Sequence, residues 1–171
     1  MRKVEVVPYD ENWPNQYNEE AKRILNLNQS NIINIVHIGS TAIPNMAAKP
    51  VIDMLLIVRN LAKVDNTKLT SIGYECHGEN GLADRIFFSK GGDNRSHHLH
   101  VFQFDNINEI QRHISLKEYL INNDERRQEY AEVKTLLAEK FPEDIESYIR
   151  GKNDLVKKIE RESLIFTWKK I

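Results

Sequence analysis

The chain has 171 residues, 40% of them hydrophobic, enough for one compact domain with its own core. A formal net charge of −1 creates no field for long nucleic acid, so nucleic acid is not the expected partner, while a local basic pocket stays open. The single cysteine, Cys76, excludes an internal disulfide or a thiolate zinc cage, the N-terminus turns polar too soon for a secretory signal, and no apolar run nears the ~20 residues of a membrane span, so a cytoplasmic protein is expected.

The segment KVEVVPY alternates as a short strand would. Asp10 or Asn12 then offers a cap, with Pro14 in the first turn of a helix whose stripe is Trp13, Tyr17, Ala21, Ile24 and Leu25. NIINIVHI (31–38) and VIDMLLIV (51–58) read as strands, the second apolar enough to be covered on both faces. Residues 60–73 read as one helix ended by Gly73, and shorter strands are expected at 74–77, 84–89 and 97–104, the last two joined by the loop KGGDNRS. Helices are expected at about 107–121, 124–140 and 143–163, with Asp124 capping the second. Strands first and helices last give an α+β fold, a mixed β-sheet with packed helices. It is taken as a single domain over 1–171, with a sheet-containing core at 1–105 and a helical part at 106–171.

Chemistry concentrates in HIGSTAIPNMAAKPVIDMLLIV (37–58). In a strand Asp53 shares a face with Leu55 and Ile57, where an ionised carboxylate needs a cation, a metal or several donors. Either Asp53 caps a loop at the strand's mouth or it belongs to a site. Gly39 and Ser40 directly after a strand allow backbone N–H groups and a hydroxyl to approach an anion, with Thr41 beside them and Lys49 adding charge before Asp53. His98 and His100 share one face of their strand, His97 takes the other, and Arg95 and a Gly-rich loop accompany them. Each of the pair is a metal ligand, a phosphate donor or a histidine satisfied by a backbone carbonyl. The third place of a histidine triad is Phe102, and the two His-x-Ser/Thr motifs of two-histidine phosphoesterases are missing. Lys134 and Lys152 fall on the apolar stripes of successive helices. They either snorkel or line a cleft for a polyanion, with Arg85 and Lys90 completing a basic wall.

The glycine-serine pair followed by an acid on a strand resembles the fingerprint of the nucleotidyltransferase superfamily. The longer string HIGSTAIPNMAAKPVID, with VVPYDENWP, RSHHLHVF, LKEYL and EYAEVKTLLA, resembles the GrpB-like family of that fold, some of whose members are fused to dephospho-coenzyme A kinase. The resemblance implies adjacent strands carrying Asp53 and the histidines. Asp53, His98 and His100 would then form a two-histidine, one-carboxylate set for a divalent metal ion (Mn, Zn or Mg), nitrogen donors favouring the first two. Lys117 stands where the family tends to have an arginine, and Ile121 replaces another basic residue. The superfamily's second acid is replaced by Leu55, which cannot hold a second metal. Three functions follow: transfer of a nucleotidyl group with Asp53 as the catalytic, metal-holding carboxylate, a binding or regulatory module without turnover, and a metal-dependent phosphohydrolase. The expected partner in each is a nucleotide or phosphorylated small molecule.

Overall fold

The computed structural model describes residues 1–27 and 30–171. Helix α1 (Trp13–Leu25) precedes β1 (Ile32–Ile38) and β2 (Ile52–Val58). Then come α2 (Asn66–Ser71), β3 (Tyr74–Cys76), β4 (Arg85–Lys90), β5 (His97–Gln103), α3 (Ile107–Ile121), α4 (Asp124–Lys140) and α5 (Ile145–Trp168). The fold is α+β. The five strands form one mixed sheet in the order β1-β2-β5-β4-β3, with β2 and β5 parallel and every other pair antiparallel. Strand β2 is covered on both faces, Met54 and Leu56 lying in one core and Leu55 in the other, which explains its near-continuous apolar sequence.

One face of the sheet carries the larger core, where Trp13, Ala21 and Ile24 of α1 and Leu69 of α2 meet Met54, Leu56, Phe88, Leu99 and Val101. The other face holds Ile38, Leu55 and Phe102 under Ile110 and Ile114 of α3, and α4 and α5 complete that layer. Among the described residues, no helix is long and apolar enough to cross a membrane.

Several elements differ from the sequence reading for local reasons. KVEVVPY forms an isolated bridge between Val7 and Ala48 instead of a strand, and the Val4 N–H turns away to the Pro142 carbonyl. The N-cap of α1 is Asn12, whose side chain makes no capping bond. Its own N–H donates to Asp10 Oδ1 at 2.8 Å. Leu25 turns outward, and Glu20 takes an inward place on that helix. The helix expected over 60–73 splits into a 3-10 turn, Leu61–Lys63, and α2, because Asn60 and Asp65 each cap a separate start, accepting from Ala62 N and Lys68 N. Asn123, not Asp124, caps α4, and α5 continues past residue 163 to Trp168.

Candidate functional site

The turn after β1 is shaped by its approach to β2. Ile38 pairs with Asp53, so the chain leaves β1 directly above that carboxylate. Gly39 takes φ +71° and ψ −173°, a region essentially restricted to glycine, and a Cβ there would lie 2.7 Å from Asp53 Oδ2. Ser40–Ala42 then closes one 3-10 turn. The Ser40 hydroxyl accepts from Lys134 Nζ at 2.9 Å, and the same ammonium donates to the Ala47 carbonyl at 2.5 Å. At 2% exposure Lys134 is fully enclosed, so snorkelling is excluded for it. The Thr41 hydroxyl is committed to His37 Nε2 at 2.9 Å, and His37 stacks on Tyr17.

The parallel pairing of β2 and β5 sets Asp53 beside His98 and Leu55 beside His100. His98 Nδ1 and His100 Nε2 each lie 3.3 Å from Asp53 Oδ1. Charge-assisted hydrogen bonds are typically about 2.7–2.9 Å. The observed separation is close to the ~3.3 Å that neighbouring ligands keep around a tetrahedral ion with bonds of ~2.0–2.1 Å. Among the described residues, however, no group of three or more His, Cys, Asp or Glu side chains, this one included, stands in an arrangement that could hold a metal ion as it is. Burial pushes the Asp53 carboxyl up, but hydrogen bonds from His100 and His98, together with their charge, outweigh it and hold the group below the usual carboxylate range. Desolvation lowers His98 despite the neighbouring carboxylate.

Arg85 holds His100 from behind, its Nη1 3.5 Å from His100 Nδ1, while its other nitrogens donate to the Glu79 and Asn80 carbonyls. Lys90, expected on the same wall, points to the opposite face because it is an odd number of residues away, and there it pairs with buried Glu20 at 2.8 Å. Leu55 is fully buried beneath α3 with Ile38 and Phe102. An acid at that position would sit in a dry core.

Above Asp53 lies a cavity of about 460 Å³. Ser40, Thr41, Lys49, Arg85, Lys134 and Lys152 line it with Asp53, His98 and His100. Gly39 lines a smaller pocket that also touches Asp53 and Lys152. Arg95 is not in the main cavity; it lines a neighbouring one with Arg2 and Lys49. Lys117 donates to the His37 carbonyl at 2.9 Å and so braces β1.

Sequence reasoning missed two aromatic supports and a third imidazole. Lys49 and Lys152 each stand 5.2 Å from the centre of the Tyr148 ring, and Lys134 stands 4.6 Å from that of Tyr130. Burial, then the charge of Lys152, lowers Lys49 to about 8. Lys134 is driven well below its ordinary value by burial and by the other two lysines. His113 also lines the cavity, its Nδ1 bound to the Glu109 carbonyl at 2.7 Å. Burial and then Arg112 lower it to about 4, so it is neutral near pH 7. Its helical spacing from Ile110 and Lys117 was the available signal. The buried side-chain polar atoms without a partner among the described residues are His98 Nε2 and Tyr148 Oη, and both belong to residues lining this cavity.

A family model described as GrpB protein matches residues 3–162. The chain belongs to the GrpB family. Membership is consistent with the nucleotidyltransferase fold inferred from the turn and the acid-bearing strand. The chain is similar to the UPF0157 protein YqkA of Bacillus subtilis, 42% identical over 99% of this chain and 49% of that protein. It therefore spans about half the length of that relative. A crystal structure of conserved protein GrpB from Enterococcus faecalis superposes with a TM-score of 0.92 at 41% identity, covering 96% of this chain and 99% of that one. A shorter stretch, 76 residues or 42% of this chain, is 36% identical to 19% of a dephospho-CoA kinase of Mycolicibacterium paratuberculosis.

Proposed function

We propose that the cavity binds the phosphate groups of a nucleotide or another phosphorylated small molecule, with one divalent ion beside them, and that it serves nucleotidyl transfer. The reading rests on the uncompensated cations of this wall. Arg112, Arg126 and Arg127 in the helices each meet a carboxylate at 2.6–2.9 Å, whereas among the described residues Lys49 and Lys152 form no ion pair, the Asp53 charge reaching Lys49 only at longer range, and rest against aromatic rings and a tyrosine hydroxyl. Burying positive charge without a counterion is costly, and a bound anion removes that cost.

Lys134 fixes the Ser40 turn and contributes charge at its base. Lys49 and Lys152 contact phosphate oxygens, and Tyr148 donates its free hydroxyl. The donor set fits a metal in type, two imidazole nitrogens each 3.3 Å from one carboxylate oxygen, so Asp53, His98 and His100 would hold it after a small inward adjustment. Bound there, a divalent ion supplies electrostatic stabilisation of charge on a phosphate oxygen. With Leu55 in place of a second acid, a two-metal clamp is not part of this proposal. A metal-dependent phosphohydrolase is the second reading, favoured by neutral His113, whose Nε2 is available to take a proton from water.

Calorimetry and thermal shift with pyrophosphate and adenine nucleotides, with and without Mn²⁺, test the proposal. A ligand at 100-fold its Kd adds about 2.7 kcal/mol, or roughly 5–10 °C in Tm for a chain of this size. Lys152→Ala is expected to weaken phosphate binding at least about tenfold, a loss of about 1.4 kcal/mol. Asp53→Asn is expected to abolish the Mn²⁺-dependent part alone. Pyrophosphate release marks transfer and phosphate release marks hydrolysis. No shift with any phosphate compound at millimolar concentration overturns the proposal.

A further inference from the structure

The basic wall does not stop at Lys49. A second cavity of about 310 Å³ adjoins the first, and Lys49 and Val51 line both. Its other cations are Arg2, Lys3 and Arg95, set against the acids Glu5 and Asp93. Asp93 is engaged by the Met1 amine at 2.9 Å, and Arg95 uses its Nε on the Gly92 carbonyl at 2.7 Å. Neither Arg2 nor Arg95 has a carboxylate within ion-pair distance among the described residues. Burial and then the charge of Arg95 pull the Arg2 guanidinium down, and the same two arginines act on Lys49, so the cation groups sense one another across the junction.

The second observation is Tyr148, which is wholly buried, has no partner for its hydroxyl, and carries Lys49 over its ring where the cavities meet. Each cavity by itself reaches the roughly 300–1,000 Å³ of a small-molecule site. A phosphate chain alone leaves the Arg2 and Arg95 compartment unused.

We propose that the ligand is a nucleotide-like molecule with two separate phosphate groups, one held by Ser40, Lys134 and Lys152 and the other by Arg2 and Arg95, with Lys49 and Tyr148 between them. This rests on the reading of the first cavity as a phosphate site. Guanidinium forks suit a terminal phosphate, which they meet with two parallel N–H donors, and the two compartments are continuous through Lys49 and Val51, which line both.

Calorimetry with pyrophosphate, adenosine 5'-monophosphate and adenosine 3',5'-bisphosphate tests it. The bisphosphate is expected to bind the unmodified protein at least about tenfold more tightly than the monophosphate, the equivalent of about 1.4 kcal/mol. The double variant Arg2→Ala/Arg95→Ala is expected to lose that gain while keeping its monophosphate affinity within about twofold, whereas Lys152→Ala weakens both nucleotides. Equal affinities in the unmodified protein, or equal losses in the double variant, overturn the two-phosphate proposal and leave the first phosphate site standing. If none of the three probes binds, the proposed function falls and this inference falls with it.

Discussion

Replacing Gly39 by alanine probes the close approach on which the site is built. The backbone there, φ +71° and ψ −173°, costs a residue with a side chain about 1–3 kcal/mol. The new methyl would also lie 2.7 Å from Asp53 Oδ2, 3.0 Å from its Cβ and 3.2 Å from its Cγ. Asp53 has little room to retreat, because its other oxygen is flanked by two imidazoles at 3.3 Å. Overpacking of that kind adds about 1–3 kcal/mol. The total is about 2–6 kcal/mol, or roughly 5–20 °C in Tm. Urea unfolding followed by circular dichroism measures it. Repeating the substitution with Asp53→Ala divides the cost, since removing the carboxyl group relieves the contact with Oδ2 and Cγ but leaves the φ penalty. A cost below about 0.5 kcal/mol, within the range of an ordinary surface substitution, would refute the reasoning. The same cost in both backgrounds would remove the close approach from it.

Acid should weaken the fold before the carboxylates titrate. Burial, then the charge of Lys117, lowers His37 to about 4, and His113 is lowered to about 4 as well. A base depressed on folding contributes stability that is complete above its unfolded value near 6.5 and is lost as pH falls through its folded value. Stability should therefore decline between about pH 6.5 and 4, by on the order of 3 kcal/mol for enclosed His37 alone. Urea midpoints across that range check it, and His37→Phe, which keeps a ring against Tyr17, should flatten the slope; an unchanged slope counts against it. Leu55→Asp is expected to cost about 3–5 kcal/mol by placing an unpaired charge under α3, without creating metal-dependent turnover. A folded variant with new Mn²⁺-dependent product release would show that Leu55 faces the site after all.

Two of the departures from the sequence reading come from competition among short-range signals. Asn60 and Asp65 are both good caps five residues apart, and the structure uses both, so one expected helix became a turn and a shorter helix. At 123–124 two adjacent capping residues compete, and Asn123 prevails while Asp124 pairs with Arg127 in the first turn. Glu20 could not be read as buried. Its inward position depends on Tyr74, 54 residues away, and Lys90, 70 residues away, which donate to it.

Alternation along a strand is local geometry, so the sequence by itself determined that Asp53 shares a face with Leu55, that His98 shares one with His100, and that Gly39 ends a strand. It also carried most of the element order. Cross-strand neighbours and register arise from hydrogen bonds between segments far apart in the chain, and nothing in residue spacing encodes them. Only the tertiary structure decided that Asp53 pairs with His98, that Lys134 reaches Ser40 across 94 residues, and that Arg85 and Arg95 belong to different cavities.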